Sequence, residues 1–344
     1  MSKLRFGLIG CGRIAKNHFE AMAQLEEAKF TACCDIIHER ADEAAHTYHV
    51  PAVYYNYHDM LKKEQLDIVS ICSPSGLHPQ MGIDVANHHI HVLTEKPMAT
   101  NIQAAGELIA ACDKNNVKLF VVKQNRLNAT MQLLKRAVDK NRFGQIYLAQ
   151  SNVFWQRPQS YYDSAKWRGT WEFDGGAFMN QASHYVDAMH WLLGDVQSVM
   201  AVTGTLARRI EAEDTGCAIL HFRKGTIATI NVTMLVFPKN LEGSITILGE
   251  KGTVKLGGVA VNKVEKWEFE DYDDDDRIVT ESNYQPPNVY GFGHSPYYKN
   301  VVDVLLERAE PSTDGRDGRK SVEIIQAIYQ SAKLGKKISL PLSL

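Results

Sequence analysis

The chain has 344 residues, a formal net charge of −2 and 44% hydrophobic residues. That length fits two domains at about 100 to 200 residues each, the scattered lysines and arginines argue against nucleic acid as the main partner, and no uninterrupted apolar run approaches the roughly 18 residues of a membrane span. The six cysteines, Cys11, Cys33, Cys34, Cys72, Cys112 and Cys217, show no paired metal spacing; no metal site is expected, and they read as reduced, buried small hydrophobes. A strand at the very start leaves no room for a signal peptide, so a cytoplasmic protein is expected.

In chain order, residues 4–9 read as a short buried strand, followed at once by Gly10-Cys11-Gly12-Arg13-Ile14-Ala15 and a helical pattern over 15–25. This is a dinucleotide fingerprint with alanine in its third position. The first glycine permits the tight turn, the second lets a pyrophosphate approach the backbone, and the helix N-terminus faces the phosphates with unpaired N–H groups. A second strand, 30–34, ends in Asp35, about 20 residues beyond the fingerprint, where a carboxylate would hold the adenosine ribose hydroxyls. It would repel a 2′-phosphate, which favours NAD over NADP, although Arg40 keeps the second option open.

Strand and helix then alternate. The run 67–72 leads into Ser73-Pro74-Ser75-Gly76-Leu77-His78, a loop expected over the cofactor's ribose and nicotinamide; 90–94 follows a helix at 79–87, and 117–122 follows one at 101–115. Such alternation implies a doubly wound parallel sheet, a Rossmann domain spanning 1–123. Glu95-Lys96-Pro97 sits at the end of its apolar run, which puts Lys96 at the carboxyl edge of the sheet beside the cofactor crevice. The rest, 124–344, reads as an α+β domain: a helix at 131–141, strands at 145–156, 196–207, 215–222, 226–236, 244–248 and 253–256 in a largely antiparallel open sheet, and helices at 297–306 and 321–334. The acidic run 270–276 reads as a solvated loop and 314–319 as a glycine-rich link between the last two helices.

With the fingerprint, Glu95-Lys96-Pro97 and the stretch from Gly175-Gly176 through Asn180 and His184 to Asp187 in hand, the chain resembles the Gfo/Idh/MocA oxidoreductase family nearly end to end. Three further stretches, 122–130, 167–171 and 293–303, look like the branch that oxidises C3 of UDP-N-acetylglucosaminuronic acid for surface polysaccharides. The resemblance implies NAD as cofactor, held by Gly10, Gly12, Arg13, Ile14, Asp35, Ser73, Pro74, Ser75, His78, Glu95, Lys96, Gln124, Trp167 and Arg168. It also implies a homotetramer or homodimer and, in some members, return of the hydride to 2-oxoglutarate.

Oxidising a secondary alcohol requires a base within reach of the hydroxyl proton. The expectation is that Lys96 and His184 meet the same hydroxyl, with His184 as general base and Lys96 orienting the hydroxyl and stabilising alkoxide charge; the two roles are exchangeable on sequence alone. Many family members carry aspartate where this chain has Asn180, and asparagine cannot hold an imidazolium by charge; Asn180 is expected in the catalytic group instead as a hydrogen-bond partner of the sugar or of His184. Lys123, Arg126 and Arg168 are the candidate cations for diphosphate and carboxylate, and Asn125, Asn128, Tyr161 and Tyr162 the candidate sugar contacts. A dehydrogenase of a free sugar or inositol, and a non-catalytic dinucleotide sensor on the same fold, are the alternatives.

Overall fold

The alternating runs fold as βα units: β1 (Leu4–Ile9), α1 (Ala15–Met22), β2 (Ala28–Cys34), α2 (His38–Tyr48), β3 (Ala52–Tyr54), α3 (Tyr57–Lys63), β4 (Ile68–Ile71), α4 (His78–Asn87), β5 (His91–Thr94), α5 (Ile102–Lys114) and β6 (Leu119–Val121). The structure is a computed structural model that describes residues 3–285 and 291–343. The six strands are all parallel in the order β3-β2-β1-β4-β5-β6. The order reverses between β1 and β4, the switch point where such sheets bind ligands at their carboxyl ends. Phe6, Leu8, Ile68, Val69 and Ile71 are wholly buried, as expected of strands covered on both faces. α2, β3 and α3 are additions to the reading above; β3 has only three residues and a half-buried pattern, too short to show a period.

After α6 (Ala129–Asp139) come β7 (Ile146–Phe154), α7 (Gln159–Asp163), α8 (Ser183–Leu193), β8 (Val196–Gly204), β9 (Thr215–Phe222), β10 (Ile227–Thr233), β11 (Glu242–Gly249), β12 (Gly252–Gly257) and β13 (Lys263–Phe269). Then follow α9 (His294–Leu305), α10 (Gly315–Leu334) and β14 (Ile338–Ser339). The second sheet runs β13-β12-β11-β7-β10-β9-β8-β14; every pair is antiparallel except β10 with β7. One face is core, with Ala218, Leu220, Phe222, Ala228, Ile230 and Val232 buried. The other turns apolar side chains outward: Val202 is 72% exposed and Ile219 52%. Cys217 also lies on this face and is exposed, unlike the buried thiol expected of it.

The structure adds to that reading at three places. The chain divides into a unit of Met1–Lys123 with His294–Arg319 and a unit of Gln124–Gly293 with Lys320–Leu344, so 294–319 does not cluster with the remainder of 124–344. Polar anchors hold that segment: the Tyr297 hydroxyl donates to Val121 O at 2.7 Å, and Thr313 Oγ1 donates to the same carbonyl at 2.6 Å. The 314–319 link is the start of α10. Asp314 caps it by accepting from Asp317 N at 2.8 Å, and a Cβ on Gly318 would lie 2.6 Å from Val121 Cγ2, so that glycine serves close packing against β6. The acidic run is largely exposed, as expected, but ordered by a turn and ion pairs. Asp273 caps a short 3₁₀ turn, Arg136 and Lys140 pair with Asp275 at 2.9 Å each, and Arg142 pairs with Asp276 at 2.6 Å.

Candidate active site

In the first unit, the β1–α1 turn has the geometry of a dinucleotide cradle. Gly10 has φ of +94°, and a Cβ there would meet the Cys72 carbonyl carbon at 2.7 Å. Around a Cβ on Gly12, by contrast, nothing lies within 4 Å. α1 has no side-chain cap at Ile14, and the N–H groups of Gly12, Arg13 and Ile14 find no acceptor among the described residues, which leaves a helix N-terminus facing open space. Asp35 is 8% exposed and fixed by two backbone amides, Cys11 N to Oδ2 and Ile37 N to Oδ1, both at 2.8 Å. Its remaining lone pairs can accept from a ribose. Ser73 Oγ is buried with no hydrogen-bond partner among the described residues. These residues fit a dinucleotide.

His78 is buried and its ring nitrogens lie 2.8 Å from the carbonyls of Pro97 and Ser73. Burial pushes its pKa down. The side chain thus ties the Ser73-Pro74-Ser75 loop to the Lys96-Pro97 turn, where the sequence suggested contact with nicotinamide. Lys96 is half-buried, and its backbone N–H donates to Glu95 Oε2 at 3.0 Å. Lys123 is buried.

In the second unit, Gly175 and Gly176 precede a π-helical turn, Ala177–Gln181, closed by Ala182 N on Ala177 O at 2.9 Å. A turn of this kind re-aims side chains and is frequent at functional sites. Gly176 has φ of +90°, and a Cβ there would fall 1.8 Å from Glu213 Oε2, so no other residue fits. The turn carries Asn180 and leads into α8, whose second residue is His184. His184 is buried, with Nε2 3.2 Å from Gln124 Nε2; with Gln124 donating, the imidazole keeps a proton-accepting Nε2. Gln124 Oε1 and Asn125 Oδ1 are buried acceptors without partners.

Arg168 lies over the rings of Tyr161 and Trp167, at 4.2 and 4.6 Å. Its Nη1 donates to the Tyr161 hydroxyl, and its Nε is buried without a partner. Tyr162 is buried beneath this cluster. Arg126 behaves differently from Arg168: its Nε and Nη2 fork onto Asp187 at 2.8 Å each, in the interior. Asn128 is buried and accepts from Phe292 N at 3.3 Å.

Two domain descriptions match the chain, "Oxidoreductase family, NAD-binding Rossmann fold" over residues 4–123 and "Oxidoreductase family, C-terminal alpha/beta domain" over 135–340, both of Gfo/Idh/MocA type. The chain belongs to the Gfo/Idh/MocA oxidoreductase family. Among solved structures it is similar to the WlbA dehydrogenase from Bordetella pertussis in complex with NADH and UDP-GlcNAcA, at 54% identity and a TM-score of 0.97, covering 99% of each chain. It is also similar to the WlbA dehydrogenase from Chromobacterium violaceum with the same two ligands, at 51% identity and a TM-score of 0.96, covering 100% of this chain and 98% of that one. A curated relative, D-apiose dehydrogenase from Paraburkholderia graminis, is 24% identical over 99% of this chain and 90% of its own length.

For a Gfo/Idh/MocA chain with asparagine before the histidine, the informative residue is one the sequence reading passed over. Asn180 Nδ2 donates to Asp174 Oδ1, while Asp174 Oδ2 accepts from Gly169 N at 2.6 Å. A carboxylate is therefore present in this turn, one hydrogen bond behind Asn180. Arg157 was passed over as well. It donates to Gln181 Oε1 at 2.9 Å, and Gln181 donates to the Tyr161 hydroxyl at 3.0 Å, which joins it to the Arg168 cluster. Neither residue belongs to a recognisable motif; only the fold gathers them.

Proposed function

We propose that this protein is an NAD-dependent dehydrogenase that oxidises the C3 hydroxyl of UDP-N-acetylglucosaminuronic acid to the 3-keto sugar, in the cytoplasm and in the service of surface polysaccharide synthesis. The observation that carries this is the 54% and 51% identity, over essentially the whole chain, to two dehydrogenases solved with NADH and UDP-GlcNAcA. The margin over the 24% relative that acts on a free sugar favours the nucleotide sugar. Among the described residues no helix is long and apolar enough to cross a membrane.

Bound NAD supplies the hydride acceptor. Gly10, Gly12 and the α1 N-terminus would hold its pyrophosphate, Asp35 its adenosine ribose, and the Ser73-Pro74-Ser75 loop the second ribose. His184 takes the hydroxyl proton at Nε2, the nitrogen that Gln124 leaves unprotonated, once the substrate hydroxyl displaces the Gln124 amide from its lone pair. Lys96 orients the hydroxyl and stabilises the developing alkoxide. Arg168, pre-set by its aromatic neighbours and carrying a spare N–H, grips a carboxylate or phosphate, and the unpartnered acceptors of Gln124 and Asn125 take sugar hydroxyl or acetamido N–H groups. Arg126, already neutralised by Asp187, contributes shape more than charge.

The test is mass spectrometry of UDP-N-acetylglucosaminuronic acid incubated with purified protein, with and without NAD and 2-oxoglutarate. Loss of two hydrogens from the sugar supports the reading, and formation of 2-hydroxyglutarate supports recycling by the keto acid. No change under any condition discards the nucleotide-sugar assignment. The outward apolar face of the second sheet, where Met200 sits across from Ile219 and Leu148 across from Ile227, is proposed to be covered by a second copy of the chain. Val202→Lys with Ile219→Lys should then reduce the mass found by light scattering; an unchanged mass rejects that face.

A further inference from the structure

Behind the Lys96 turn lies a buried polar chain that no step above uses. Ser70 Oγ is 2.8 Å from the Tyr298 hydroxyl, which is 2.7 Å from His18 Nδ1; His18 Nε2 is 3.0 Å from Glu95 Oε1. His294 Nε2 approaches the same oxygen at 3.5 Å. All of these side chains are buried, His18 and Ser70 completely. The polarity that satisfies each member runs from the Ser70 hydroxyl to Tyr298, from Tyr298 to His18 Nδ1, and from His18 Nε2–H to the carboxylate. Such chains strengthen cooperatively in a low-dielectric interior. Glu95 Oε2, at the far end, accepts from Lys96 N.

A glutamate this deep should resist ionising. Burial pushes its carboxyl up, but the hydrogen bond from His18 and the nearby His294 imidazole outweigh that and hold it well below its ordinary value. The titratable groups around it are His18 from α1, Cys72 after β4, His78 from α4, Lys96, and His294 and Tyr298 from α9. Lys96 is the one lysine in that set, and its charge is felt at both His78 and His294.

We propose that Glu95 is a positioning residue for Lys96: a buried carboxylate, gripped by His18 and His294, that fixes the Lys96 amide and supplies the negative charge against which the Lys96 side chain stays an ammonium. This rests on the dehydrogenase reading above and deepens it, because an ammonium can donate to the hydroxyl and stabilise alkoxide charge but cannot take a proton. It assigns the general base to His184. It also gives the His294-Ser295-Pro296-Tyr297-Tyr298 motif a task, since α9 supplies two members of the assembly.

The experiment combines two readouts on wild type, Glu95→Gln and His294→Gln. Competitive acetylation of Lys96 across pH, read by peptide mass spectrometry, needs neither substrate nor cofactor, so it decides the charge claim even if the wild type fails to turn over the nucleotide sugar. Loss of the carboxylate charge should lower the Lys96 labelling midpoint by about 1 unit. Steady-state kinetics should show kcat lower by about 10- to 100-fold with the sugar KM within about threefold, as expected for a misplaced catalytic group, and His294→Gln should move both readouts in the same direction by less. An unchanged midpoint with wild-type kcat in Glu95→Gln overturns the proposal. If Glu95→Gln does not fold, a wild-type midpoint in His294→Gln overturns it. One equivalent of a divalent metal in the purified protein, lost in His294→Gln, would overturn it too, because the three side chains would then be ligands.

Discussion

Glu95 in the first unit and Glu213 in the second are both buried glutamates packed behind a turn that carries a candidate catalytic group, yet they settle in opposite charge states. Glu95 meets two imidazoles and stays ionised. Among the described residues Glu213 accepts from Phe178 N at 2.8 Å and meets the Tyr329 hydroxyl at 2.9 Å, both on Oε1, and its Oε2 is buried without a partner; burial pushes it up to about 8. The difference teaches that burial does not set the charge of a carboxyl. The donors around it do. A carboxylate beside Lys96 can act on a neighbouring charge, whereas a neutral acid behind Gly176 can only hold shape.

The comparison gives an order of effects. Both turns exist to present a side chain, so removing those side chains should cost most: His184→Ala and Lys96→Met should each lower kcat by about 10² to 10⁴ while NADH binding, followed by fluorescence titration, persists. Loss of binding together with activity would instead mean a collapsed fold. Next, exchanging the two glutamates for glutamine should separate them, with kcat falling in Glu95→Gln and staying within about threefold of wild type in Glu213→Gln; equal losses would erase the distinction drawn here. A third buried carboxyl group, Asp187, is paired with Arg126 at 2.8 Å, and Asp187→Asn should cost about 3 to 5 kcal/mol of stability in denaturant unfolding by stranding the guanidinium.

The smallest effect is on stability against pH. Because the folded Glu213 carboxyl titrates at about 8 against a reference value of 4.5, the native state keeps a proton that the unfolded chain has lost. Its contribution is fully present below 4.5 and is lost as pH rises towards 8. Glu213→Gln should therefore raise Tm by a few degrees at pH 8 and leave it nearly unchanged at pH 5. A gain that is equal at both values would place the cause elsewhere.

Much of this was legible in the sequence, for reasons that also mark its limits. β1, β4 and β5 are short runs buried on both faces, and the fingerprint and Asp35 are local to them, so the parallel sheet and its cofactor edge follow from neighbouring residues. The turn at Gly175-Gly176 and the stretch around His184 are contiguous as well. The supports of these groups are not. His18 and His294 reach Glu95 from opposite ends of the chain, Asp174 and Asn180 meet only because a π-helical turn intervenes, and Glu213 stands against Gly176 across the fold. Arg126 shows the converse: its type suggested an anion grip, but Asp187, on α8, had already claimed it.

The most direct test of the central claim uses UDP-N-acetylglucosaminuronic acid carrying deuterium at C3, mixed with the protein and NAD, with the nicotinamide product examined by mass spectrometry. The account predicts NADH one mass unit heavier, formed with the 3-keto sugar. NADH without the label, or formed equally from sugar deuterated at another carbon, would contradict oxidation at C3.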